Sequence, residues 1–202
     1  MVSREKTEQV KLQIIEAADQ LFYQKGYNLT SFSDIATASN VPRGNLNYHF
    51  STKSEVLTAV IQYRITEMQK MLRRWEREFK TPLERLQRYA KIVSNVEKEV
   101  VDYGCPMGTL NSELGKVQPD LKAVTKEQFV VFEKWIKKQF QLMGCSKNAA
   151  NLTTHLMVWT QGVASMAYIH RDTRLIKREA KAIATWLASL TSKINSQEKF
   201  TR

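Results

Sequence analysis

The sequence predicts an all-α fold of about nine helices: a small N-terminal three-helix unit followed by a larger helical bundle. Three observations carry that prediction. Apolar residues recur at helical spacing through every long segment. Only four prolines and seven glycines occur, which leaves little for a linker or a β-rich fold. No run of residues alternates apolar and polar in the manner of a half-buried strand. The composition, 43% hydrophobic and 25% charged over 202 residues, is that of an ordinary globular chain.

The first helix is expected over residues 8–24, where Val10, Ile14, Ala18, Leu21 and Phe22 form one stripe and Gly26 supplies the stop. Two short helices follow within Thr30 to Phe50. Ser31 is placed to cap the first, with Asp34 three residues on beside the unpaired amides. Ser39-Asn40 ends it, because both side chains compete for backbone hydrogen bonds. Val41 plugs the turn, and Pro42 suits the start of the next helix, where its missing N–H costs nothing. Leu46 and Phe50 share the buried face of that helix. This is a helix–turn–helix. Arg43 can present a fork to guanine, Asn47 lies four residues on along the same face, and Gly44 removes bulk where the helix would lie closest to a groove. Tyr48, His49 and Lys53 are placed for phosphate oxygens. The expected DNA-contacting set is Thr30, Ser31, Pro42, Arg43, Gly44, Asn45, Asn47, Tyr48, His49 and Lys53.

Residues around this stretch carry a specific pattern: Ile14-Ile15-Glu16-Ala17-Ala18, Leu21-Phe22, Lys25-Gly26-Tyr27, Thr30, Ile35-Ala36, Val41, Gly44, Leu46, Tyr48-His49-Phe50, Lys53 and Leu57. From about Lys11 to Val60 it closely resembles the N-terminal DNA-binding domain of the TetR/AcrR family of one-component transcriptional regulators. The chain departs from that pattern at Asn45, where the family often has Thr or Ala, and at Asn47, where it often has an aromatic residue. Both positions face outward, so the departures bear on which operator is read and not on the fold.

The rest of the chain reads as helix after helix. Ser51 or Thr52 caps a long one, with Glu55 in its first turn and Leu57, Ile61, Ile65, Met68, Leu72, Trp75 and Phe79 keeping the period. The boundary is expected at residue 53: a DNA-binding domain over 1–53, and a ligand-binding and dimerisation domain over 54–202, coupled by the helix 54–79. Thr81-Pro82-Leu83-Glu84 opens a helix expected to run to about Tyr103. Gly104-Cys105-Pro106, Gln118-Pro119-Asp120 and Gly144-Cys145-Ser146 then punctuate three more starts, and residues 174–194 form the closing helix, with 196–202 frayed.

The resemblance implies a two-fold dimer built from the last two long helices, and their apolar stripes suggest Leu152, Leu156, Trp159, Val163, Ile183, Leu187 and Leu190 for it. Plain core is the competing reading of the same stripes. It also implies an unidentified small-molecule effector, for which Trp75, Tyr89, Val93, Cys105, Leu110, Glu113, Phe129, Phe132, Trp159 and Met166 are candidates. Cys105, next to Pro106 at a helix start, raises an alternative in which a thiol senses oxidants or electrophiles. A further alternative is a DNA-binding protein without an effector.

The net charge of +11 suits a polyanion partner. Yet in residues 1–63 the basic Arg4, Lys6, Lys11, Lys25, Arg43 and Lys53 are balanced by Glu5, Glu8, Glu16, Asp19, Asp34 and Glu55. Bulk charge therefore does not mark the DNA-binding end. No metal-ligand spacing, phosphate loop or nucleophile elbow is present, so neither an enzyme nor a cofactor or metal is expected. No run is apolar enough to span a bilayer, and the polar start MVSREKTEQVK lacks the core of a signal peptide, which places the expected chain in the cytoplasm with double-stranded DNA as partner.

Overall fold

The computed structural model describes residues 2–200, and the side chains of all of these except 2–4, 116, 117, 119, 120 and 191–200. Ten α-helices are described: α1 Val2–Gln24, α2 Phe32–Ala38, α3 Arg43–His49, α4 Lys53–Glu78, α5 Pro82–Ala90, α6 Glu97–Tyr103, α7 Pro106–Val117, α8 Pro119–Leu142, α9 Ala149–His170 and α10 Thr173–Phe200. Single 3-10 turns stand at Ser94–Val96 and Ser146–Asn148, and no strand occurs among the described residues. None of these helices is long and apolar enough to cross a membrane.

Three boundaries differ from expectation. Helix α1 starts at Val2, well before residue 8. Helix α10 runs to Phe200, past the expected end at residue 194; Thr201 and Arg202 lie outside the described residues. The helix expected over 82–103 is broken. Thr81 and Glu84 form the anticipated capping box, but α5 ends at Ala90 and helix resumes only at Glu97. The intervening Ile92-Val93-Ser94-Asn95-Val96 combines β-branched residues with Ser and Asn, which favour other backbone conformations over helix. The break lets Val93 and α6's Val100 and Val101 join one apolar cluster with Val163, Ala164 and Ala167 of α9 and Ile176 of α10.

The chain forms two compact units: Met1–Glu67 with Pro106–Gln128, and Met68–Cys105 with Phe129–Arg202. The boundary thus falls in the middle of α4, not at residue 53, and the first unit takes in a second stretch of chain. Its core is built from Ile14, Ala18 and Phe22 of α1, Ile35 of α2, Leu46 of α3, Val56, Leu57, Val60 and Ile61 of α4, and Leu110 and Leu114 of α7. The second unit buries Trp75, Leu86, Tyr89, Phe132, Ile136, Phe140, Leu156, Ile183 and Leu187.

The two-helix turn shows why this sequence folds as it does. Ser31 Oγ accepts from Asp34 N at 3.0 Å while Asp34 Oδ2 accepts from Ser31 N at 2.8 Å, closing a capping box on α2. At the other end Asn40 takes φ +52. Its amide donates to Thr37 O and that of Val41 to Ala36 O, a Schellman stop with an apolar residue just beyond it. Asn tolerates the left-handed conformation better than other non-glycine residues. Asn40→Ala is expected to lower stability by about 1 kcal/mol, and Asn40→Gly to leave it nearly unchanged, in denaturant melts. Leu46, wholly buried, is the anchor of α3; Leu46→Ala is expected to cost about 2–5 kcal/mol in the same measurement.

Candidate nucleic-acid interface

Helix α3 is anchored on one side and open on the other. Leu46 and the following Phe50 are buried, whereas Pro42, Arg43, Gly44, Asn45, Asn47 and Tyr48 are exposed and His49 is half-buried. Tyr48 is 80% exposed, far more than a tyrosine held for packing, and its ring stands T-shaped to that of His49 at 5.2 Å between centroids. A Cβ added to Gly44 would meet nothing within 4 Å, so the bare backbone there is accessible. Arg43 Nη1 donates to Ser33 Oγ at 3.4 Å, a long bond that leaves most of the guanidinium's donors outward. Ser33, on α2, was not among the expected residues; its link to Arg43 spans the turn, and nothing in local spacing signalled it.

Three expected contacts are placed differently. The Thr30 side chain is 1% exposed, and its hydroxyl donates to Gly26 O at 2.7 Å. Ser31's hydroxyl is engaged in the cap of α2. Lys53 is turned inward: Nζ donates to Tyr27 O and Thr30 O, both at 2.8 Å, and lies 4.3 Å from the centre of the Tyr27 ring. Burial pushes the Lys53 ammonium below its ordinary range, against the pull of the Glu113 charge. Lys53 is therefore a tie that closes the turn before α2, with two of its three donors taken by carbonyls. The outward face of α3 is the part of the expected set that stays open to a groove.

The expected effector residues divide between the units. Leu110 and Glu113 belong to the first: Leu110 is core there, and the Glu113 carboxylate accepts from the amides of Tyr27 and Asn28 at 3.0 and 2.7 Å. In the second unit, Tyr89 and Phe132 meet edge-on at 5.2 Å, and Trp75 packs on Trp135 at 5.9 Å with Arg88 over its face. Phe129 is half-buried. Val93, Cys105 and Trp159 share the α6–α9 cluster, where Gln161 Nε2 lies 3.5 Å from Cys105 Sγ. Burial pushes the Tyr89 phenol up to about 12, with a hydrogen bond to Thr160 opposing the shift and the Cys105 sulfur adding to it. The buried Trp159 Nε1 finds no acceptor among the described residues. Met166 faces outward at 44% exposure and does not join this group. Cys145 precedes only a one-turn 3-10 helix, and burial pushes its thiol up, away from thiolate.

The residues expected at a dimer interface divide by burial. Leu156, Val163, Ile183 and Leu187 are buried in the chain's own core, while Leu152, Trp159 and Leu190 are half-buried. A second stripe of α9 remains uncovered: Val158 at 64% exposure, Gly162, Met166 and Ile169 at 66%. Exposed Ala182, Thr185, Ala188 and Ser189 of α10 are small enough to admit another helix closely. Sequence periodicity pointed to the heavier of two apolar stripes, which the fold itself consumes.

Comparison with known proteins fits this geometry. Residues 14–60 match the family model described as bacterial regulatory proteins, tetR family. Over 135 residues the chain is 30% identical to an uncharacterised HTH-type transcriptional regulator in the lacX 3′ region of Lactococcus lactis subsp. lactis, a match spanning 66% of this chain and 69% of that one. It is 28% identical over 130 residues to the HTH-type transcriptional repressor DhaR of a Mycobacterium species, spanning 63% of this chain and 62% of DhaR. Among solved structures, a TetR-family transcriptional regulator from Agrobacterium tumefaciens superposes with a TM-score of 0.78 at 18% identity, covering 89% of this chain and 97% of that one, which speaks for the shared fold.

Proposed function

We propose that this chain, which belongs to the TetR family of bacterial regulatory proteins, is a ligand-released repressor that binds a palindromic operator as a two-fold dimer. Membership of the family makes it a DNA-binding transcriptional regulator and not an enzyme. The observation that carries the finer reading is the outward face of α3, where every side chain but Leu46 and half-buried His49 is exposed on a helix whose start and anchor are locked. Arg43 and Asn47 serve as base readers, and Asn45, Tyr48 and His49 flank them. The uncovered stripe of α9, with the small residues of α10, supports the dimer, since a palindrome needs a two-fold partner. Selection of bound fragments from genomic DNA tests the whole reading: the enriched sites should be inverted repeats, and sites without dyad symmetry would refute the dimeric operator complex.

The aromatic part of the second unit supports the effector site. Tyr89, Phe132, Cys105 and Trp159 offer an apolar surround with few polar atoms, and the indole N–H of Trp159 is a donor awaiting an acceptor. A thermal-shift screen of metabolites, followed by operator release, identifies the ligand.

One contact favours a second reading, release by thiol chemistry: Cys105 is only half-buried, and the Gln161 amide Nε2 stands 3.5 Å from its Sγ. Cys105→Ser is then expected to retain operator binding and to lose release by quinones or peroxide, with Cys145→Ser behaving as wild type, in gel-shift titrations. Equal release of wild type and Cys105→Ser removes this reading.

A further inference from the structure

We propose that α7 is an integral helix of the DNA-binding unit and that Glu113 is a positioning residue for operator binding, holding the turn from which the helix–turn–helix starts. The inference rests on the reading of α3 as the DNA-contacting helix.

The turn 26–30 connects α1 to α2, so its shape sets where the helix–turn–helix begins. Its polar groups are held from two directions. From α7, the two oxygens of Glu113 each take one amide, Tyr27 N at 3.0 Å and Asn28 N at 2.7 Å. From the first residue of α4, Lys53 takes the carbonyls of Tyr27 and Thr30. Donors and acceptors of the same turn are thereby satisfied by opposite charges on two different helices, and charge-assisted bonds of this kind are the stronger sort. Gly26, at φ +89, is fitted to the arrangement: a Cβ there would lie 3.0 Å from a Glu113 oxygen.

Helix α7 is held at its other end as well. Arg64 of α4 reaches Asp19 of α1 through Nε at 2.6 Å and the carbonyl of Pro106, the first residue of α7, through Nη1 at 3.1 Å. The Arg64 side chain is only 11% exposed, so this is an inward tie and not a loose surface pair. On the inner face of the same helix Leu110 and Leu114, one turn apart, sit in the core with Ile14, Ala18 and Phe22. Translating α7 along its axis would break the Arg64–Pro106 and Glu113–turn bonds together.

The test compares wild type, Glu113→Ala, Glu113→Gln, Lys53→Ala and the Glu113→Ala/Lys53→Ala double variant. Operator affinity is measured at several salt concentrations and corrected for active fraction, alongside thermal melting and hydrogen exchange of residues 27–31. Glu113→Ala is expected to weaken operator binding about tenfold, with the salt slope unchanged because no phosphate contact is lost. Exchange at Tyr27 and Asn28 should quicken, and Glu113→Gln, which keeps one acceptor oxygen, should fall between. The double variant should lose less than the two single losses combined, since both residues hold one turn. Corrected operator affinity equal to wild type in Glu113→Ala, with or without a lower melting temperature, overturns the proposal, as does a reduced salt slope. Failure of the wild type to bind any DNA would instead refute the reading of α3.

Discussion

Val158→Arg is expected to convert the dimer to a monomer and to weaken operator binding by roughly a hundredfold or more, because the second half-site is no longer delivered by a linked partner. Val158 is 64% exposed and its side chain supports nothing within its own chain that a charge would destroy. On a pairing face the same charge would be buried without a counter-ion, which defeats association. Light scattering reads the outcome directly: a mass near twice 23.4 kDa for the wild type and near 23.4 kDa for the variant. Gly162→Arg, also on the uncovered stripe and with no neighbour in its way, should behave alike. Leu187→Arg serves as the contrast. Leu187 is wholly buried, so the variant should lose its melting transition rather than dissociate as a folded monomer. A folded, dimeric Val158→Arg protein would remove α9 from the interface.

Arg43→Ala is expected to cost about 1–3 kcal/mol in operator affinity and to relax the preference at one base pair in each half-site. Affinity for scrambled DNA should change much less. The reasoning is geometric: the guanidinium stands on the open face of α3, beside the bare backbone of Gly44, with a single long bond to Ser33 Oγ to give up on binding. Affinities for operator and scrambled DNA at several salt concentrations separate the alternatives. An equal loss on both, with a smaller salt slope, would mean that Arg43 holds a phosphate and that Asn45 or Asn47 does the reading. Lys53→Ala, by contrast, is expected to act through the turn it ties and to leave the salt slope as it is.

What could be read from the chain alone was what short-range chemistry specifies. The cap of α2 and its stop at Asn40 and Val41 involve partners within a few residues, and the four-residue spacing of Leu46 and Phe50 by itself marks the buried face of α3. Residue type and spacing therefore sufficed, both for the helix–turn–helix and for the outward set Arg43, Gly44, Asn45, Asn47 and Tyr48. The roles of Lys53 and Glu113 were hidden because their partners lie far along the chain: Glu113 and Tyr27 are 86 residues apart. A charged residue at a helix start or on a helix face looks the same in sequence whether it meets phosphate, ligand or a buried turn. Helix α9 presents the same limit in apolar form. It carries two stripes at helical spacing, and periodicity states that both exist without saying which one its own chain covers. Packing against α6 and α10 buries Val163, Ala164 and Ala167 and leaves Val158, Gly162 and Ile169 outward. That choice belongs to the tertiary structure, because burial is a property of where other helices lie and not of the helix that is buried.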